Sequence, residues 1–474
     1  MQRKETTTGA SLANTSIITE QFPALSTPMR FLPLAILLLF AAPLFGEPLV
    51  IQGGSLFNPT TGAMEAVQAI VIDGEKIIAV GTPQKPVTVP KGARVIDATA
   101  TFIIPGLIDA HVHLVHRLNF AHVTGDEVLP FFLANGVTSV RDTGDEIVAQ
   151  TVVARFAASH PETCPRVFTA SHLIDADPPI HRDIGLGVND PTKVPAIVAE
   201  MAAWKIATLK IYAGTGRPVG RRLIEEGHKH GLFVTGHLSA YRAQDAVEDG
   251  IDGIEHITSV FDFVFSPEAA RQPDPRSTID LSHPQVKGLI ALLAKRKILV
   301  DPTLTVFKNM LLLSDTEAVQ KHADNAPMPE RLRASWDTYQ RGMGLAPGTR
   351  DRRKKEFEKL QELTGLLHKA GVPLLAGTDA PEPYCPPGYS LHQELELLVQ
   401  SGLSPAAALQ AATINTARAL KHVASIGSVE PGKLADLVIL TADPTADIRN
   451  TRKIRWVIRG GHVCDPAKVL AGVK

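Results

Sequence analysis

The sequence predicts an α/β protein, a (β/α)8 TIM barrel carrying a small β-sandwich built from N- and C-terminal strands. Three observations lead there. Between residues 105 and 424, eight short apolar runs alternate with helical segments, the pattern of βαβ units. Polar residues gather at the C-terminal ends of those runs, the face that carries chemistry in this fold. Both chain ends supply short alternating runs broken by Gly, Asn and Pro, which cannot bury both faces alone and so are expected to pack together. At 474 residues, 44% hydrophobic and 20% charged, the chain has the apolar mass for a barrel and a satellite.

Taken in order, residues 1–46 read as a leader. A polar, Thr/Ser-rich stretch precedes Met29 and Arg30, and an apolar run from Phe31 to Phe45 follows, too short to span a bilayer comfortably. A basic residue, a short apolar run and small residues near Gly46 are the marks of a secretory signal peptide, with Met29 as the expected start and export to a periplasmic or secreted location as the consequence. A single uncleaved anchor is the other reading of the same run. Residues 47–104 form the first part of the sandwich, with Asp73-Gly74 as a hairpin turn. Residues 105–424 form the barrel, with strands expected at 104–111, 137–142, 166–170, 208–212, 233–237, 253–256, 298–302 and 374–378, and helices such as 194–203 and 286–296 between them. Residues 425–474, with the runs ADLVIL and KIRWVIRGGHVC, complete the sandwich. The segment 305–349 is long for a barrel connection and reads as a lid or specificity element. The run DRRKKEFEK after it is a solvated helix face.

Composition removes several function classes. A formal net charge of -1 gives no long-range attraction to nucleic acid or anionic membrane, so a small-molecule substrate is expected, with no stable membrane partner and a homo-oligomer left open. The 3 cysteines, Cys164, Cys385 and Cys464, are far apart and lack CxxC spacing, so neither a disulfide framework nor a thiolate metal site is indicated.

The chemistry centres on PGLIDAHVHL, Pro105 to Leu114. Residues two apart on a strand face the same side, so His111 and His113 converge, and two imidazoles supply half of a four-coordinate zinc shell. By itself the pair also fits two partly exposed histidines with no metal. Further along stand TLKIYAG with Lys210 and Tyr212, TGHLSA with His237, GIEHI with His256, and LLAGTDAP with Asp379, each at a strand end.

Those words, in that order, resemble the amidohydrolase superfamily, and in particular its binuclear subgroup with a bridging carboxylated lysine, whose members include imidazolonepropionase-like and Xaa-Pro dipeptidase-like enzymes. The resemblance runs from about Glu47 to the tail SIGSVEPGKLADLVIL. It implies that His111, His113 and Asp379 hold one divalent ion and His237 and His256 a second, zinc or alternatively manganese, with a CO2-derived carbamate on Lys210 bridging them. A carbamate suits such a site because an ammonium has no lone pair and would repel both ions. It implies too that Asp379 serves as the acid-base group. Each assignment has a plain counterpart: Lys210 as a strand lysine reaching solvent, His237 and His256 as hydrogen-bonded core histidines, Asp379 as a helix cap. Tyr212, two residues beyond Lys210, faces the same side and is either an oxyanion donor or a packed tyrosine. His116, His172, His181 and His392 are expected to border the pocket, and Arg141 with Asp142 to form a pair, beside the metals or purely structural. His228 and His230 sit at a helix end, where cations suit the dipole.

The expected reaction is hydrolysis of a C–N amide, peptide-like or cyclic, with a neighbouring carboxylate as the substrate guess. Deamination of a heterocyclic amine is the nearest alternative. It normally needs a Glu three residues after the fifth-strand histidine, and Ala240 stands there. A non-catalytic binding protein would be expected to have lost ligands, and every candidate is present.

Overall fold

In a computed structural model, residues 47–261, 275–311, 322–325, 327–342 and 349–473 are described. The expected leader lies outside them, as do parts of the expected lid. The chain ends build two sheets. One runs in the order Lys76–Gly81, Ala69–Asp73, Leu49–Gln52, Arg94–Asp97. The other runs His462–Cys464, Ile454–Arg459, Leu437–Leu440, Phe102–Pro105, Ser55–Asn58, Ala63–Ala66. Leu437–Leu440 lies antiparallel to Phe102–Pro105, pairing Leu437 with Pro105, so the C-terminal tail is built into the N-terminal sheet. Alternation decides the faces: Ile51, Ile70 and Ile72 of the first sheet share one apolar cluster with Ile103, Leu437, Ile439 and Ile458 of the second. Val50, Ala69 and Val71 point the other way, against Val87 and Val89. The turn after Asp73 forms at Gly74, φ +53°.

The expected strand 104–111 is in fact two. Phe102–Pro105 belongs to the end-strand sheet, and Leu107–Val112 pairs in parallel with Val137–Asp142. The chain changes partners at Gly106, whose N–H goes to the Asp436 carbonyl at 2.9 Å while Leu107 N–H goes to the Gly136 carbonyl at 3.0 Å. A Cβ at Gly106 would stand 2.0 Å from Thr138 Oγ1, so only glycine passes there.

From Leu107–Val112 the parallel pairings proceed to Val137–Asp142 and Arg166–Phe168, and, after a break at Thr169, from Ala170–Asp175 through Thr208–Ile211, Phe233–Gly236 and Gly253–Glu255 to Leu299–Asp301. The third strand is thus longer than expected and interrupted, and Gly185–Gly187 adds a short strand beside it. Helices intervene as expected, at Val194–Ala203 and Pro284–Arg296 among others. The basic run opens the helix Thr349–Lys369, and the expected lid contains the helices Leu304–Leu311 and Glu330–Gly342. No described helix is long and apolar enough to cross a membrane.

The expected last strand, 374–378, is not a regular strand. Leu374 makes a single bridge with Val300, and Ala380, just beyond the segment, makes one with Val112. Two of the segment's donors turn to carboxylates: Gly377 N–H goes to Asp301 Oδ1 at 2.9 Å, and Thr378 N–H is shared between Asp109 Oδ1 at 3.1 Å and the His111 carbonyl at 3.3 Å. Leu375 N–H still reaches the Val300 carbonyl at 2.9 Å, and the Ala376 carbonyl accepts from Ala110 N–H at 3.0 Å. The segment therefore links Leu299–Asp301 back to Leu107–Val112, and it delivers Asp379 beside the histidine pair.

Candidate metal centre

All of Leu107–Val112 is buried, and His111 and His113 leave its end toward a common partner. His111 Nε2 lies 3.5 Å and His113 Nε2 3.3 Å from Asp379 Oδ1. The other ring nitrogens are held from behind, His111 Nδ1 against Glu255 Oε2 at 2.9 Å and His113 Nδ1–H on the Gly144 carbonyl at 3.0 Å. This is how metal-bound imidazoles are oriented, one nitrogen fixed by an outer acceptor and the other turned inward. His111 Nε2 is buried without a hydrogen bond, an orphan that a cation would satisfy. Burial would lower the His113 pKa, but its hydrogen bond to Asp379 and the nearby Asp145 charge prevail and raise it to about 9. The pocket therefore favours positive charge at that spot.

A second group faces the first. His237 follows Phe233–Gly236 and His256 follows Gly253–Glu255, with ring centroids 4.5 Å apart, and His256 lies 4.6 Å from the His111 ring. Burial first, then neighbouring Lys210, pushes His237 down to about 3, and burial followed by His237 holds His256 well below the usual range. Both rings are kept neutral, with lone pairs free for a ligand role. His256 Nδ1 is steadied by Thr303 Oγ1 at 2.8 Å. His256, Thr303 and Asp379 all have positive φ, +65°, +47° and +62°. Such backbone costs on the order of 1–3 kcal/mol per residue and concentrates where geometry serves a site.

Lys210 sits on the buried strand Thr208–Ile211, and its ammonium makes no hydrogen bond or ion pair with a described residue. Burial is the largest influence on it and lowers its pKa to about 8, with Glu255 opposing and Arg141 assisting. Lys210, Tyr212, His113, His237, His256 and Asp379 line one cavity of about 260 Å³. His111 stands behind its wall. Tyr212 Oη is 3.0 Å from His181 Nε2, and its ring is 5.2 Å from that of His237. Burial opposes ionisation of Asp379, but His111 and the hydrogen bond from His113 hold its carboxyl well below the usual range.

Every residue expected at the metals is thus brought together. Among the bordering histidines, His116 and His181 line the cavity, whereas His172 and His392 do not. His392 is buried elsewhere, with Nδ1 2.9 Å from Thr451 Oγ1. Arg141 and Asp142 do not form a pair, because successive strand residues face opposite ways. Arg141 turns to the Ala110 carbonyl at 2.5 Å and to Glu255 Oε1 at 2.7 Å, and Asp142 accepts Leu114 N–H and Gly144 N–H. The three cysteines are free and buried.

Glu255 is the main residue that sequence reasoning passed over. It takes Arg141 and the Thr235 hydroxyl on Oε1 and His111 on Oε2, so it fixes a first-strand histidine from the sixth strand. A glutamate inside the apolar word GIEHI was the available signal. Asp301, 3.7 Å from His111 Nδ1, and Asp109, which ties down Thr378, were also missed. Arg141 and Glu255 are fully buried, and removing one partner of such a pair strands the other charge. Arg141→Met is therefore expected to cost about 3–5 kcal/mol, measured by denaturant unfolding of metal-loaded protein.

The profile of the amidohydrolase family matches residues 102–464. The chain belongs to the amidohydrolase family. The resemblance drawn from the sequence words is borne out at that level. A dihydroorotase of Pelotomaculum thermopropionicum is 25% identical over 435 residues, covering 83% of this chain and 89% of that relative. An imidazolonepropionase of Geobacillus kaustophilus is 39% identical over 105 residues, covering 20% of this chain and only 24% of the relative. Among solved structures, a Xaa-Pro dipeptidase with bound methionine in its active site superposes with a TM-score of 0.65 at 21% identity, covering 88% of this chain and 100% of the other. That last likeness speaks for the fold alone. The amidohydrolase assignment and the convergence of imidazoles and a carboxylate on one cavity rest on separate observations.

Proposed function

We propose that this amidohydrolase is a metal-dependent enzyme that hydrolyses a C–N amide bond, peptide-like or cyclic, of a small molecule. The observation that carries the proposal is the meeting of two histidine pairs, Asp379 and a buried Lys210 without a partner among the described residues around one cavity. The scaffold is read as a (β/α)8 barrel, supported by the pairings that return from 299–301 to 107–112 through 374–380. The shared core of the two end-strand sheets supports a β-sandwich assembled from 47–104 and 425–474.

His111, His113 and Asp379 would hold one divalent ion, His237 and His256 another, and a carboxylated Lys210 would lie between them. The donor set is nitrogen and oxygen without thiolate, which suits zinc and admits manganese. Bound ions supply Lewis acidity for the substrate carbonyl and bring a water molecule toward ionisation near neutral pH. Asp379, an ionised carboxylate at the cavity wall, accepts the proton of the attacking water and passes it to the departing amine. The Tyr212 hydroxyl, 3.0 Å from His181 Nε2, would donate to the oxygen that gains charge. Leu173, Val306, Phe307 and Met310 line the cavity with apolar side chains, which would limit competing water around a bound substrate. The products are a carboxylic acid and an amine. A substrate amide next to a carboxylate is the proposed class, in line with the named relatives.

Elemental analysis of protein purified without chelator is expected to show about two divalent ions per chain, with turnover in a screen of N-acyl amino acids, dipeptides and cyclic amides. Absence of bound metal, with no activity gained on adding zinc or manganese, would overturn the proposal. Export is proposed on the run Phe31–Phe45, and N-terminal sequencing from the native host is expected to begin near Glu47. Finding Met1 or Met29 intact would refute that.

A further inference from the structure

A second cavity, of about 320 Å³, opens at the opposite end of the parallel strands from the metal centre, where Arg166–Phe168 begins. Its lining combines three kinds of group. Phe168 and His422, with ring centroids 4.9 Å apart, form an aromatic wall. Ile426 continues the apolar surface, and Ser425 offers a hydroxyl. Arg166 and Arg459 supply two guanidinium groups.

The two arginines are not alike. Arg166 is compensated, by Asp436 at 2.9 Å and Glu75 at 3.7 Å. Arg459 is only 2% exposed, forms no ion pair with a described residue, has its Nε without any hydrogen bond, and reaches just the Ala157 carbonyl at 3.4 Å. Asp436 and Glu75 soften its field but are committed to Arg166. A buried, unpaired cation is costly unless something answers it. Guanidinium presents a planar fork that matches a carboxylate. Val167 and Phe168 lie in a barrel strand yet stay half-buried because the cavity reaches them.

We propose that this cavity is a binding site for a small organic anion with an apolar or aromatic body, its carboxylate on Arg459 and Ser425 and its body against Phe168, His422 and Ile426. The site is separate from the metal centre and does not depend on the reaction assigned there. A ligand held by the folded state raises its melting temperature. Sodium benzoate at millimolar concentration is therefore expected to raise the Tm of metal-loaded protein by about 1 °C or more, with inorganic phosphate and benzyl alcohol each giving less. Arg459→Met should abolish the rise, and so should Ala154→Phe, which fills the cavity from the helix Ile147–Ser159 without touching the charges. Turnover without benzoate should stay within twofold of wild type in both variants. Should Arg459→Met not fold, Ala154→Phe decides alone. No rise in the wild type, a rise retained in Ala154→Phe, which places benzoate elsewhere, metals included, or an equal rise with phosphate would each overturn the site as described.

Discussion

Asp379→Asn is expected to lower kcat by about 10²–10⁴-fold, the contribution of a well-placed acid-base group, while the protein still folds. The carboxylate faces both first-strand imidazoles at 3.3–3.5 Å and is held ionised by them, so it can take a proton. An amide cannot. Asparagine is the informative replacement for a backbone reason: position 379 has φ +62°, and Asn tolerates that region better than Ala does. The Asp379 N–H bond to the His111 carbonyl, 2.8 Å, is untouched by the change. Steady-state turnover on any substrate found by the screen, with a melting curve as the folding control, makes the test. A loss below about tenfold would count against the acid-base role and leave Asp379 as a ligand only.

Lys210→Ala is expected to remove one of the two ions and most of the activity. The amine is buried beside the neutral His237 and His256 with no hydrogen bond or ion pair to a described residue, and burial brings its pKa to about 8. At pH 7 roughly a tenth is then free amine, against about one part in three thousand at an unshifted value, and only free amine combines with CO2. Metal stoichiometry by elemental analysis should fall toward one in the variant, and small carboxylic acids should restore part of the turnover by occupying the vacated space. Reconstitution of wild-type protein should run faster with bicarbonate than in degassed buffer. If Lys210→Ala keeps two ions and near-normal turnover, the bridge is wrong. The mononuclear reading, deamination included, then comes forward.

The sequence by itself determined the elements whose cause is local. A strand's two-residue period put His111 beside His113 and Lys210 on the face of Tyr212. The alternation of apolar runs and helices announced parallel pairing, and the uninterrupted period of Val194–Ala203 set a helix with its observed bounds. Family membership was legible for the same reason, since it rests on short words at strand ends. What tertiary structure alone decided involves partners distant in sequence. Gly106 divides one apolar run between two sheets because Asp436 claims its own amide and Gly136 that of Leu107. The segment 374–378 departs from a regular strand where Asp301 captures the Gly377 N–H and Asp109 shares the Thr378 N–H with the His111 carbonyl. Glu255 serves His111 across 144 residues of chain, and Arg141 turns from Asp142 to that same carboxylate. A side chain's direction follows from local period, but its partner follows from which strand lies alongside, and that is a property of the closed fold.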